Sequence, residues 1–314
     1  MEPVIAIVGP TASGKSELAL ELARRLGGEI VNADALQVYR GLDLGTAKPT
    51  PAEQAEVRHH LIDILDPTEI YSAGEFARRA HPAIADIQSR GKRALVVGGS
   101  GLYYRALFQG LSPVPVGDLV VREELRRRLA AEGLPTLRAE LEGLDPKTAL
   151  RLPPNDSQRI LRALEVALVS GRPLSDWVAD RPFGEQRLSG LSIGLTLPRG
   201  ILYDHIESRV RRMLAAGWVE EVRSLLTRGL QPSAPAFQAI GYRQIVSHLF
   251  EGWSLERATE ETVRATRRFA KRQLTWFRKE PGIVWFDHPV HEQRMVQVLT
   301  HLQSSGVGSG VLYA

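Results

Sequence analysis

A continuous β-branched and apolar run at 4–8 opens the chain, and an amphipathic helical period follows at 17–26. A second short strand reads at 29–33. The stretch 41–49 carries glycine, proline and little periodicity, so it predicts a loop. Ser72 with Glu75 three residues on forms a capping box and opens a helix that runs to about Arg90, where Gly91 ends it. A third strand at 93–97 runs into the turn Gly98, Gly99, Ser100, Gly101 and then a helix at 102–107. This alternation of strands and helices predicts an α/β fold with a parallel sheet. Pro113, Pro115 and Gly117 then break the pattern. From 118 to about 179 only helical periodicity remains, with Asp156 as the N-cap of a helix at 157–166. Strand character returns at 191–197 and again at 283–286. The chain therefore divides into a core of 1–114 with 188–314 and an all-helical insertion of 115–187. The Ser- and Gly-rich tail from Gln303 is expected to be poorly ordered at first sight, and no internal repeat is present.

Composition narrows the chemistry. The chain has 314 residues, room for about two domains, and no cysteine, which removes disulfides, thiolate zinc sites and a cysteine nucleophile. No apolar run reaches the length of a membrane span, and no leader is expected ahead of the first strand, so no membrane partner and a cytoplasmic location are expected. Lys and Arg number 40 against 36 Asp and Glu. A net charge of +4 is too small to point to a nucleic acid by itself, so the distribution of charge has to decide.

Gly9, Pro10, Thr11, Ala12, Ser13, Gly14, Lys15 and Ser16 match G-x-x-x-x-G-K-[ST] between a strand and a helix, the phosphate-loop pattern. The fold class that follows is a P-loop NTPase-like parallel sheet flanked by helices. Glycines let the loop curl around an anion at a helix N-terminus, Lys15 supplies a mobile charge, and the Ser16 hydroxyl is placed for Mg²⁺. The motif specifies a polyphosphate or diphosphate without saying which. Asp34 lies just past the second strand, at the sheet edge where ligands collect. It reads equally as an N-cap there. Ser100 is the only functional side chain of the second glycine turn. Thr46 and Lys48 reach a ligand or belong to a solvated loop. The adjacent His59 and His60 read as structural or exposed rather than as metal ligands.

Arg264, Arg267, Arg268, Lys271 and Arg272 fall on one helical face, and Arg278 and Lys279 continue the stripe, with no acid between Arg264 and Lys279. Such a stripe suits a phosphate backbone or is a solvated basic face. Gln273, Trp276 and Phe277 lie alongside, where unstacked bases would be met.

Together these stretches resemble the tRNA dimethylallyltransferase family. The resemblance rests on GPTASGKS at 9–16, NADALQVYRGLDLGTAKP at 32–49, YSAGEF at 71–76, VVGGSGLYYRAL at 96–107 and PNDSQRILRALEV at 154–166. It continues through R-x-x-x-M-x-x-x-G from Arg209 to Gly217, AIGYRQ at 239–244 and AKRQLTWFR at 270–278. The family usually carries threonine where Ser100 stands, so the hydroxyl is retained. Longer eukaryotic members end in a zinc finger, which a chain without cysteine lacks.

The resemblance implies a prenyl transfer from dimethylallyl diphosphate to the exocyclic amine of the adenosine 3′ to the anticodon. Residues 9–16, Mg²⁺ at Ser16, Lys15 and Arg209 would hold the diphosphate. Asp34 would be the general base, and Ser100 would bond the oxygen bridging prenyl and diphosphate. The anticodon stem-loop of tRNA would meet Asp34, Ala35, Leu36 and Gln37, together with Ser100 and Arg122. It would also meet Gln158, Arg159, Ile160, Leu161 and Arg162, then Gln238, Ala239, Ile240, Gly241, Tyr242 and Arg243. The last group is Lys271, Arg272, Gln273, Leu274, Thr275, Trp276, Phe277 and Arg278. The helical insertion would clamp that stem-loop, and the working species is expected to be a monomer. Two other enzymes fit parts of the pattern: a small-molecule kinase using ATP in the loop, which leaves the basic helix without a task, and a prenyltransferase acting on free adenine nucleotides, which needs no tRNA platform. An RNA-binding module with a vestigial loop explains the basic helix but not Asp34 and Ser100 at strand ends.

Overall fold

The computed structural model describes residues 3–115, 117–180 and 188–307. Two compact units emerge, Met1–Phe108 with Leu188–Ala314, and Gln109–Arg187. The first unit begins β1 (Val4–Val8), α1 (Lys15–Leu26), β2 (Gly28–Asn32), α2 (Pro51–Glu56), β3 (His59–His60), α3 (Ala73–Ser89), β4 (Arg93–Gly98) and α4 (Gly101–Phe108). The second unit is α5 (Leu119–Glu132), α6 (Leu134–Leu144), α7 (Pro146–Arg151), α8 (Ser157–Ser170) and α9 (Leu174–Asp180). The first unit resumes with β5 (Gly190–Leu195), α10 (Arg199–Ala215), α11 (Trp218–Thr227), a helical turn at Pro235–Gln238, α12 (Tyr242–Phe250), α13 (Leu255–Phe277), β6 (Ile283–Phe286) and α14 (His291–Ser304).

The sheet runs β3-β2-β4-β1-β5-β6, and every neighbouring pair is parallel. β1 sits between β4 and β5 and is buried along its whole length, which is why its sequence is apolar without alternation. From β1 the chain passes through α1 to β2 on one side, while β5 joins on the other. That reversal opens a crevice beyond the carboxyl end of β1. Leu18, Leu22 and Leu26 of α1 pack with Ile5 and Ile7 of β1 and with Met295, Val298 and Leu302 of α14. α10 pairs with α13 through Leu202, Ile206 and Val210 against Val263 and Ala270. In the helical unit, Leu125, Leu137, Leu141, Ile160 and Leu164 form a separate core.

Several elements differ from the sequence expectation. The first unit closes at Phe108, ahead of the expected Pro113–Gly117 break, because α4 ends there and the proline-rich residues pack with the helical unit. α2 arises in a stretch with little hydrophobic signal: Thr50 Oγ1 accepts from the Glu53 amide at 3.2 Å, and Glu53 returns an acceptor to the Thr50 amide at 2.7 Å. His59 and His60 form the edge strand β3, and His60 Nε2 meets buried Glu29 at 2.7 Å. α14 continues through Gln303 and Ser304, and Val307 is buried, so the tail is ordered at least that far. Residues 308–314, and most of the return linker ahead of Gly190, lie outside the described residues.

One carboxylate organises the loop 41–49. Glu221 of α11 accepts from the amides of Asp43 at 3.0 Å, Leu44 at 2.6 Å and Gly45 at 3.4 Å. The Tyr242 hydroxyl donates to the same side chain at 2.7 Å from a fully buried ring. Burial, reinforced by the Glu221 charge, drives that phenol far above its ordinary range, so it remains a donor. Tyr242→Phe removes a hydrogen bond to a charged acceptor and is expected to cost about 1.5–3 kcal/mol. A urea unfolding midpoint unchanged from wild type would exclude this role for the hydroxyl.

Candidate functional site

The loop after β1 folds back because Gly9 takes φ 140° and Ala12 and Gly14 take φ 64° and 88°. A Cβ on Gly9 would lie 2.2 Å from the Leu195 carbonyl, so the loop tolerates no larger residue there. α1 starts at Lys15 with no side-chain cap at Gly14, which leaves its first amides free for an anion. Lys15 Nζ donates to the Pro10 carbonyl at 2.6 Å. Lys15 is partly exposed along its stem, but its ammonium is enclosed. Burial pushes it down to about 7, the Arg209 charge adds to the shift, and Asp34 opposes it. Arg209 enters from α10, where burial lowers it and Asp34 again opposes, and its Nη1 lies 3.4 Å from Thr11 Oγ1.

Lys15, Ser16, Asp34 and Arg209 line one cavity of about 950 Å³ within the first unit. The sequence expectation that the phosphate loop and Asp34 share one edge therefore matches their placement. Asp34 caps no helix, because residues 33–40 form turns: its Oδ1 accepts from the Leu36 amide at 2.8 Å and the Gln37 amide at 3.4 Å. Gln37 Nε2 donates to the carbonyls of Thr46 and Ala47, fixing this turn against the next loop. Gly98 and Gly99 belong to the cavity wall; Ser100 stands one residue beyond it, at the start of α4. Thr46 and Lys48 also line the cavity, yet both are held by the fold. Thr46 Oγ1 donates to the Leu42 carbonyl, and Lys48 Nζ bonds Tyr39, Asp43 and Asp63.

The basic helix α13 is less uniform than its sequence. Arg264, Arg268, Lys271 and Arg272 are exposed. Arg267 instead donates to Glu207 of α10 at 3.0 Å and lies over the Tyr203 ring, because α10 packs on that edge of the stripe. Gln273 is buried. Its Oε1 accepts from the Thr11 amide at 2.8 Å and its Nε2 donates to the Gly99 carbonyl at 2.9 Å, so one amide ties the phosphate loop to the second glycine turn. A Cβ on Gly99 would fall 2.2 Å from that Nε2, which explains the glycine.

Five expected RNA contacts are therefore corrected. Gln273 is spent on this bridge. Phe277 and Tyr242 are fully buried in the first unit, and Ile160 lies in the core of the helical unit. Their side chains have no open surface, since each supplies the apolar side of its helix. Gly241 is buried as well. Trp276 is half-buried with Arg105 over its ring, while Leu36, Leu161, Leu274, Ala239 and Ile240 are partly covered.

Ala35, Gln158, Arg159, Gln238, Arg243, Lys271, Arg272, Thr275 and Arg278 are exposed as expected. Arg122 and Arg162 both pair with buried Glu165, and Arg159 pairs with Asp156. Sequence reasoning missed Arg294, which also lines the cavity. A lone arginine in an amphipathic helix gives no signal of that kind.

The IPP transferase family model matches residues 37–280. A tRNA dimethylallyltransferase of Geobacter metallireducens is 50% identical over 286 residues, covering 91% of this chain and 93% of its own. One from Halorhodospira halophila is 52% identical over 288 residues, covering 90% and 92%. A full-length tRNA isopentenylpyrophosphate transferase of Bacillus halodurans has a similar structure, with TM-score 0.70, 37% identity and coverage of 97% and 96%. A eukaryotic dimethylallyltransferase acting on tRNA gives TM-score 0.77 at 26% identity, covering 98% of this chain and 81% of its own.

The lowered Lys15 makes a pH prediction. With a value of about 7 in the free protein, Lys15 is charged below that pH and loses its proton above it. An oxyanion favours the charged form, so binding takes up a proton. Affinity for inorganic diphosphate should fall as pH rises through about 7, by at most roughly tenfold per unit. Titration calorimetry at about pH 8 in buffers of different ionisation heat measures the uptake; identical heats in all buffers would remove Lys15 from this role.

Proposed function

The chain belongs to the tRNA dimethylallyltransferase family, and we propose that it transfers a dimethylallyl group from dimethylallyl diphosphate to the exocyclic amine of the adenosine 3′ to a tRNA anticodon. The observation that carries the assignment of roles is that Lys15, Arg209 and Asp34 share one cavity at the N-terminus of α1. Two cations and a set of free amides suit a leaving diphosphate, and a carboxylate beside them suits an amine that must lose a proton.

The amine nitrogen bonds to the allylic carbon. The carbon–oxygen bond breaks, and its electron pair departs with diphosphate. Lys15, Arg209 and the loop amides stabilise that charge. The amine proton passes to Asp34. Its Oδ1 is engaged by the Leu36 and Gln37 amides, so the other oxygen is the acceptor. Ser100 is assigned to the bridging oxygen; its position directly after the wall residue Gly99 supports this. The adenine has to leave the anticodon stack to reach the cavity.

Mg²⁺ fits the loop. Ser16 offers an exposed hydroxyl in the first turn of α1, and among the described residues no cluster of His, Cys, Asp or Glu forms a competing metal site. A hard cation that takes its remaining ligands from phosphate and water suits so sparse a protein site. When bound, it would neutralise diphosphate charge.

The anticodon stem-loop is assigned to the exposed cations of α13 and to the helical unit, where Gln158 and Arg159 are open. No helix among the described residues is long and apolar enough to cross a membrane, and the substrate tRNA puts the reaction in the cytoplasm, with one chain as the working species.

Asp34→Asn should reduce the single-turnover rate by roughly 10²–10⁴-fold while tRNA still binds; a rate near wild type would exclude Asp34 as the base. Arg268, Lys271 and Arg272 changed together to glutamine should flatten the log–log salt dependence of tRNA binding, by about 0.7–0.9 in slope for each lost phosphate contact. Binding of dimethylallyl diphosphate should not change. Parallel salt lines for variant and wild type would move the RNA away from α13.

A further inference from the structure

Arg294 is a buried cation with no hydrogen-bond or ion-pair partner among the described residues. It lies in the first full turn of α14 and is only 3% exposed. Its Nε and Nη1 are both buried without a hydrogen-bond acceptor, and no ion pair reaches it among the described residues. Glu17 acts on it only at longer range, and burial lowers it below its ordinary value. A guanidinium left this way is costly to keep buried. Two helix termini add to the cost. Arg294 sits near the positive end of its own helix, and it reaches the positive end of α1: a Cβ on Gly14 would fall 2.7 Å from Arg294 Nη2. Arg294 is also a lining residue of the cavity, with Ser13, Lys15 and Arg209.

We propose that Arg294 is a further ligand of the donor's diphosphate, reaching the phosphate loop from α14. The inference rests on the loop being the donor's diphosphate site. An oxyanion at the N-terminus of α1 answers these features together. It accepts from Nη2, which faces the loop, and from one of the two orphaned N–H groups beside it, a pair that forms a rigid fork matched to phosphate oxygens. It also reverses the sign of the interaction with both helix termini. A purely structural arginine would be expected to hold a carboxylate or carbonyl, and among the described residues Arg294 holds neither. Its contribution is to ground-state and leaving-group charge together, so its loss should appear mainly as weaker donor binding.

The test measures inorganic diphosphate binding by calorimetry for wild type, Arg294→Gln and Lys15→Ala, all full-length. Arg294→Gln should bind diphosphate at least about tenfold more weakly and raise the KM for dimethylallyl diphosphate similarly, with the KM for tRNA unchanged. Its ligand-free melting temperature should not fall, because an uncompensated charge has been removed; a structural role predicts the opposite. Arg294→Lys, which keeps the charge but not the fork, should bind between the two.

Loss of binding in Lys15→Ala with wild-type affinity in Arg294→Gln would overturn the proposal and leave the donor site standing. No binding by wild type would overturn both. A second readout needs no neutral variant: in ¹⁵N-labelled wild type, the Arg294 Nε–H resonance, assigned by its absence in Arg294→Lys, should shift on adding diphosphate. An unmoved resonance would overturn the proposal.

Discussion

The burial of cations gathered at the N-terminus of α1 is the constraint on which the site depends. Lys15, Arg209 and Arg294 line one cavity, and in each case burial lowers the affinity for a proton. Arg209 further lowers Lys15, while Asp34 opposes the shift in both. The helix terminus adds its own positive end. Such an arrangement favours a ligand carrying several negative charges. It also explains why the loop cannot be slack: a loop free to relax would let these charges drift apart into water and lose the preorganisation that makes them effective.

Rigidity comes from elsewhere in the chain. The Leu195 carbonyl presses on Gly9, and the buried amide of Gln273 joins the Thr11 amide to the Gly99 carbonyl. Gln273 belongs to the helix that displays Arg268, Lys271 and Arg272 at its surface. The surface assigned to RNA and the loop assigned to the donor are thus neighbours on one rigid element. A tilt of α13 would be felt at both glycine turns through two hydrogen bonds. The other wall is held by Glu221, whose carboxylate fixes the 43–45 amides beside the Gln37 turn.

Much of this was legible in the sequence, because it depends on local chemistry. A β-branched run followed by a glycine loop and an amphipathic period determines a strand, an anion-ready turn and a helix with little help from elsewhere. The same holds for the alternation that builds a parallel sheet, for the helical character of the block from 118 onward, and for Asp34 and the phosphate loop sharing an edge, since strand ends in such a sheet lie together.

What the sequence left open depends on which surfaces meet. α13 has a regular basic period, and nothing local distinguishes Arg267, held by Glu207 and Tyr203, from exposed Lys271. Only the packing of α10 against α13 does so. Gln273, Tyr242, Phe277 and Ile160 stand in motifs that suggest contact with RNA, but burial commits their side chains to the fold. His59 and His60 become a strand because β2 offers an unpaired edge. Arg294 acquires its meaning only when α14 comes to rest against α1, far away in sequence. Periodicity reports the side of a helix, whereas the partner on that side is set by long-range packing, which no local window of residues contains.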